Sequence, residues 1–344
     1  MKKTKKVLSL ILAGAMMMSL SACGGKAEES KSSSTAATTA GEKTEGATTT
    51  GEKTADGKQF KIGVLQLVQH TALDASNKGF IKALDDAGLN YVVDQQNAAG
   101  DQSTCQTIAS KLVNDGSDLI LSIATPAAQA VAGTTSDIPV LVTAVTDPAA
   151  SDLVASNEAP GGNVSGTSDL TPVKEQIDLL KKILPDAKTV GILYASSESN
   201  SEIQAKMARE AIEAAGMTAV DYTVSSSNEI QTVVTSMVGK VNAIYAPTDN
   251  TIAAGMTTVA MVANENGLPV ICGEEGMVKA GGLATYGIDY FELGYLTGQQ
   301  AVKILKDGED ISKMPIEYLP AEKCKLTINE ETAKTLGIDV SNIK

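Results

Sequence analysis

His70 is the only histidine of a 344-residue chain. An imidazole works as a general base or a metal ligand only in company, with a nucleophile to activate or further ligands to share the ion. The sequence offers neither. It has no Gly-x-Ser-x-Gly elbow, and Cys23, Cys105, Cys272 and Cys324 are scattered without the short spacing of a metal site. The first apolar run continues Gln66-Leu-Val-Gln-His70, with no glycine-rich turn for a dinucleotide pyrophosphate to approach. An enzyme, a metal and a cofactor are therefore not expected. What the polar residues can do is hold a small molecule.

The candidates for that role are Gln69, His70 and Leu73, then Thr125, then Thr146 and Asp147. In the second half of the chain they are Asn200 and Ser201, Asp249 and Asn250, and Asp289 and Tyr290. These groups lie between β-branched runs and helical patterns, at the carboxyl ends of strands, where a doubly wound sheet binds ligands. The same places suit N-caps, a role that Asp, Asn and Thr favour. Capping and binding are compatible at one residue.

A repeated α/β unit sets those positions. Lys61–Val68, Tyr91–Val93, Asp118–Ile123 and Pro139–Thr143 read as strands, separated by amphipathic stretches through Phe80 and Leu84, from Ser103 to Asp115, and after Pro126. Short β-branched runs alternating with helices build a buried parallel sheet. Gly88 and Gly216 read as left-handed helix stops. The order then recurs: Thr189–Tyr194 matches the first strand, Ala211–Gly216 matches Ala83–Gly88, Val241–Tyr245 matches Asp118–Leu121, and Leu268–Ile271 matches Ile138–Leu141. The expected fold class is α/β, with two doubly wound Rossmann-like lobes and a ligand cleft between their rims. The crossings near Asn163 to Pro172 and near Ile288 are the expected hinge.

The chain opens Met-Lys-Lys-Thr-Lys-Lys, runs apolar from Val7 to Leu20 and reaches Leu20-Ser-Ala-Cys23. That is an export leader, because an apolar run of about 14 residues is short of the roughly 20 a bilayer needs. The ending resembles a bacterial lipobox, which implies lipidation of Cys23 and attachment to the outer face of the cell membrane. Residues 24–57 are almost entirely Gly, Ser, Thr, Ala, Glu and Lys, too polar to fold, and read as a tether. The expected organisation is 1–22 signal peptide, 23–57 anchored linker, 58–168 first lobe completed by about 289–318, and 169–288 second lobe completed by about 319–344. The formal charge is −13, without a clustered basic stripe, so nucleic acid is not an expected partner. Cys105, Cys272 and Cys324 read as buried thiols, with one disulfide left open.

Several segments together resemble the tryptophan/tyrosine-type ABC transporter substrate-binding proteins, from about Phe60 to Ile338. They are His70-Thr-Ala-Leu-Asp74, Gln96-Asn97 with Gly100-Asp-Gln102, Ala124-Thr-Pro-Ala-Ala128, Thr146-Asp-Pro148, Pro160-Gly-Gly-Asn163, Glu198-Ser-Asn-Ser201, Pro247-Thr-Asp-Asn250 and Thr285-Tyr-Gly-Ile-Asp-Tyr290. Thr71 departs from the family, which usually has Pro there. The resemblance implies a type I periplasmic-binding-protein fold, a monomer, and capture of an amino acid for an ABC permease and its ATPase. The ligand implied is aromatic: Trp, Tyr or Phe. Thr125 and backbone N–H groups at a helix start would meet its carboxylate, Asp249 or Asp289 its ammonium, and Tyr194, Tyr245 or Tyr290 its ring. A surface receptor that senses without transport, or a nucleoside or sugar as ligand, stays open at this point.

Overall fold

A computed structural model describes residues 57–343. The expected export leader, Cys23 and the expected tether up to residue 56 lie outside them. In the first half the elements are β1 (Phe60–Gln66), α1 (Thr71–Asp86), β2 (Tyr91–Asn97), α2 (Gln102–Asn114), β3 (Leu119–Ile123), α3 (Thr125–Ala132), β4 (Val140–Val145) and β5 (Val164–Ser168). There follow α4 (Val173–Ile183), β6 (Thr189–Ala195), α5 (Ser199–Ala214), β7 (Thr218–Val224), α6 (Ile230–Met237), β8 (Ala243–Ala246), α7 (Asn250–Ala254), α8 (Met256–Glu265), β9 (Val270–Cys272), α9 (Glu275–Lys279) and β10 (Ala284–Gly287). The chain ends with α10 (Tyr290–Val302), β11 (Glu317–Tyr318), β12 (Lys325–Ile328) and α11 (Glu330–Leu336).

Two six-stranded sheets result, ordered β11-β5-β4-β3-β1-β2 and β12-β10-β9-β8-β6-β7. The orders correspond strand for strand, as the repeat predicts. Pairing is parallel except where β12 runs antiparallel to β10. Helices cover both faces, which is why β3 and β4 are buried at every residue, while the edge strand β7 carries exposed positions. The covering helices are amphipathic: α4 buries Val173, Ile177, Leu180 and Ile183 at three- and four-residue spacing and exposes Lys174, Glu175 and Asp178. Gly88 and Gly216 end their helices at φ of 62° and 75°.

The chain passes between sheets after β5, after β10 and after β11. The second passage delivers α10 onto α1 in near backbone contact. A Cβ at Gly294 would lie 1.8 Å from the Ser76 carbonyl oxygen, and one at Gly79 2.0 Å from that of Phe291. Small residues at Ser76, Gly79, Gly294 and Gly298 are what let the two axes approach. The N-termini of both helices are thereby fixed at one rim. No described helix is long and apolar enough to cross a membrane.

Candidate functional site

The rims meet at a small cavity, lined by residues of both halves. His70, Ala72 and Leu73 come from the start of α1, Ala144 and Thr146 from the end of β4, and Asp169 from the residue after β5. Facing them are Asn200 of α5, Thr248 and Asp249 after β8, Asn250 and Ala253 of α7, Glu274 after β9, and Tyr290 at the start of α10. Seven of the residues singled out in the sequence meet here: His70, Leu73, Thr146, Asn200, Asp249, Asn250 and Tyr290.

The other five stand outside the lining. Gln69 is exposed. Asp147 accepts from the Ala150 N–H and the Asn157 amide, closing a turn. Ser201 donates to Asp249 at 2.7 Å, and Asp289 caps α10 through the N–H groups of Phe291 and Glu292. Thr125 is buried one strand away from Thr146, and its hydroxyl has no partner among the described residues. Of the tyrosines considered for an aromatic wall, only Tyr290 is at the cavity. Tyr245 donates to Gln176 inside the second lobe, and Tyr194 points to Asp221 on the edge strand.

Asp249 lines the cavity with a committed carboxylate. Its Oδ1 caps α7 at the Ile252 N–H, and Oδ2 accepts from the Ala195 N–H and Ser201. Burial, and then the neighbouring Glu198 carboxylate, raise its pKa. Glu274 spends both oxygens on the N–H groups of Gly276 and Met277, and burial raises it to about 7.

Asp169 differs. It is 4% exposed; Oδ2 accepts from the Tyr290 hydroxyl at 2.7 Å, and Oδ1 has no partner among the described residues. Burial lifts it to about 6, against the pull of the Tyr290 and Thr146 hydroxyls. Asn200, 2% exposed, likewise leaves Oδ1 without a partner, its NH2 being used on Glu198, Ser201 and the Thr248 carbonyl. Buried polar atoms are normally satisfied, so the two orphaned acceptors on one small cavity are free to receive hydrogen bonds from a donor-rich group.

The same rim carries a helix start without a capping side chain. Neither α1 nor α3 has a side-chain N-cap, but α1 carries Asp74 in its first turn and α3 carries no acid. The positive end of α3 is thus unanswered, next to the unpaired Thr125 hydroxyl. Ala124, which leads into α3, and Ala144, two residues before Thr146, have φ of 82° and 54°. Non-glycine residues hold that region only under constraint, and such strain gathers at binding sites.

Side chains also join the two halves. Gln204 donates to Thr146 at 3.1 Å, His70 Nε2 meets Asn250 Oδ1 at 3.3 Å, and Gln102 donates to the Ser197 carbonyl at 2.9 Å. The lining residues not among the twelve candidates are Asp169, Thr248, Glu274 and the three alanines, of which Thr248 and Glu274 lie in rim segments after β8 and β9 that the sequence does point to. Asp169 carried one legible signal, its position in the Asn163 to Pro172 crossing.

The profile of ABC transporter substrate binding proteins matches residues 61–343. A tyrosine-binding protein of Clostridioides difficile (strain R20291) is 42% identical, over 100% of this chain and 96% of the relative. Among solved structures, the ABC domain in complex with L-Trp from Streptococcus pneumonia is 41% identical, with TM-score 0.79 over 82% of this chain and 96% of that one. The ligand-free, open structure of a substrate binding protein with adhesive properties from Clostridium difficile is 45% identical, with TM-score 0.63 over 83% and 97%. By profile and identity together, the chain belongs to the family of ABC transporter substrate binding proteins.

Proposed function

We propose that this protein is an exported lipoprotein, anchored outside the cell through Cys23, which binds an aromatic amino acid between its lobes and delivers it to an ABC permease. The observation that carries the ligand reading is the pair of orphaned buried acceptors, Asp169 Oδ1 and Asn200 Oδ1. They suit an α-ammonium, whose N–H groups are charge-assisted donors. The start of α3 with Thr125, two strands from β5 in the sheet, suits the α-carboxylate. Leu73, Ala72, Ala253 and Tyr290 offer an apolar and aromatic wall for a ring. The relatives that bind tyrosine and L-Trp support the aromatic class. Asp249 and Asp289 act as caps, and Asp169 takes the role of ammonium partner.

Residues 24–344 retain both sheets and the core clusters beneath them. The chain contains no Trp, so fluorescence of added tryptophan is read without protein indole background. After unfolding and refolding to strip carried ligand, titration with tryptophan or tyrosine is expected to saturate and to raise Tm. Stabilisation is about 2.7 kcal/mol at a hundredfold excess over Kd. No change with tryptophan, tyrosine or phenylalanine would sink the aromatic reading.

A further inference from the structure

Glu198 is buried after β6 and accepts on both oxygens. Oε1 takes the Thr251 N–H and hydroxyl, while Oε2 takes the Asn250 N–H and, at 2.6 Å, the Asn250 side-chain NH2. An NH2 held by a carboxylate leaves the amide only one orientation, with Oδ1 turned away from Glu198. That oxygen meets His70 Nε2 across the cleft at 3.3 Å. An amide oxygen is acceptor only, so the proton of the neutral imidazole sits on Nε2. Nδ1 is then a lone-pair acceptor. It is buried, and it has no partner among the described residues. Burial lowers the His70 pKa, against the Asn250 bond and the Glu198 and Asp74 charges, which keeps the ring neutral.

We infer that His70 Nδ1 is the atom that reads the ligand's ring, accepting the phenol O–H of tyrosine or the indole N–H of tryptophan and finding nothing to accept from phenylalanine. Asn250 and Glu198 are positioning residues that set its tautomer. The inference rests on the aromatic amino acid reading and extends it to specificity. Sheet order supports the division of labour. Thr125, Thr146 and Asp169 follow the neighbouring strands β3, β4 and β5, whereas His70 follows β1, three ladder steps from β5. His70 and Asp169 nevertheless line one cavity, reached from strands that are not adjacent, so a single ligand between them can meet Asp169 with one end and His70 with the other. A site that hydrogen-bonds a substrate hydroxyl rejects the analogue lacking it, because its own buried group is left unpaired.

Because His70 is the only histidine, 15N-histidine labelling of residues 24–344 reports this ring alone. At neutral pH the expected spectrum has Nε2 protonated and Nδ1 bare, with Nδ1 shifting toward a hydrogen-bonded acceptor on addition of tyrosine and not of phenylalanine. The opposite tautomer overturns the inference. Asn250→Leu is expected to raise the Nδ1–H fraction, a change that loss of packing alone does not produce. In calorimetry the wild type is expected to favour tyrosine and tryptophan over phenylalanine by on the order of tenfold or more, and His70→Leu to bring that ratio toward one. Aromatic binding with the same ratio in His70→Leu would overturn the role of His70 and leave the functional reading intact. A wild type that binds none of the three overturns both.

Discussion

The Tyr290 hydroxyl donates to Asp169 Oδ2 at 2.7 Å, joining the first residue of α10 to the first residue after β5. Each residue adjoins a different passage of the chain between the sheets, so the bond ties these two crossings together beside the cavity and holds the Asp169 carboxylate in place. With Oδ2 committed, Oδ1 is the free oxygen, the one that the proposed function gives to the ligand's ammonium.

Asp169→Asn is therefore expected to keep the Tyr290 bond, through the amide oxygen, while losing the charge. A hydrogen bond to a charged group is worth about 1.5–3 kcal/mol, so amino acid affinity should fall by roughly tenfold to a hundredfold, read by calorimetry. An unchanged affinity would remove Asp169 from the ammonium site.

Binding and stability should respond to acid in opposite directions. An ammonium needs the ionised carboxylate, and Asp169 is held up to about 6, so affinity should be level above about pH 7 and weaken as pH falls through about 6. In the unliganded protein, Asp169 at about 6, Glu274 at about 7 and the raised Asp249 all bind protons more tightly folded than unfolded. Each favours folding increasingly as pH drops from its folded value toward the unfolded value near 4. His70, lowered by burial, opposes them in part. The expected outcome is a higher Tm at about pH 5 than at about pH 7 without ligand; a Tm that falls over that range would contradict it.

Gly294→Ala ought to test the contact between α1 and α10. In an open helix that change stabilises by roughly 1 kcal/mol, but here the new Cβ would stand 1.8 Å from the Ser76 carbonyl. Overpacking of this kind costs about 1–3 kcal/mol, so the sign should reverse, as a lower urea midpoint at unchanged m-value.

Thiol chemistry separates the three cysteines of the described region, which are all free. Cys105 and Cys272 are buried, and burial raises their pKa, while Cys324 is half-buried. In residues 24–344, Cys324 is expected to react first with a thiol reagent, and the other two only on unfolding. Fast labelling of Cys105 or Cys272 in the native protein would contradict the packing.

The repeat was legible because its central strands are strongly β-branched runs, bounded by helix stops at Gly88 and Gly216. The sheet edges were not. β5 reads Val-Ser-Gly-Thr-Ser and β11 spans two residues, so neither shows the apolar run of a buried strand, and the polar residue that β5 delivers, Asp169, went unnoticed with it. At the site, residue type found the rim and could not tell a committed carboxylate from a spare one. Asp249 and Asp169 are chemically alike; what separates them is the Ala195 N–H and Ser201 against Asp249 Oδ2, neighbours that only folding supplies. Ala72, Ala144 and Ala253 shape the cavity without any chemical signature.

The strand and helix that finish the first sheet, β11 and α10, come after nearly all of the second in the chain. During synthesis the apolar flank of α1 has no permanent cover until the last quarter of the polypeptide has emerged, and these long-range contacts make for slow assembly. A chain that reaches its folded form late stays extended and threadable for longer.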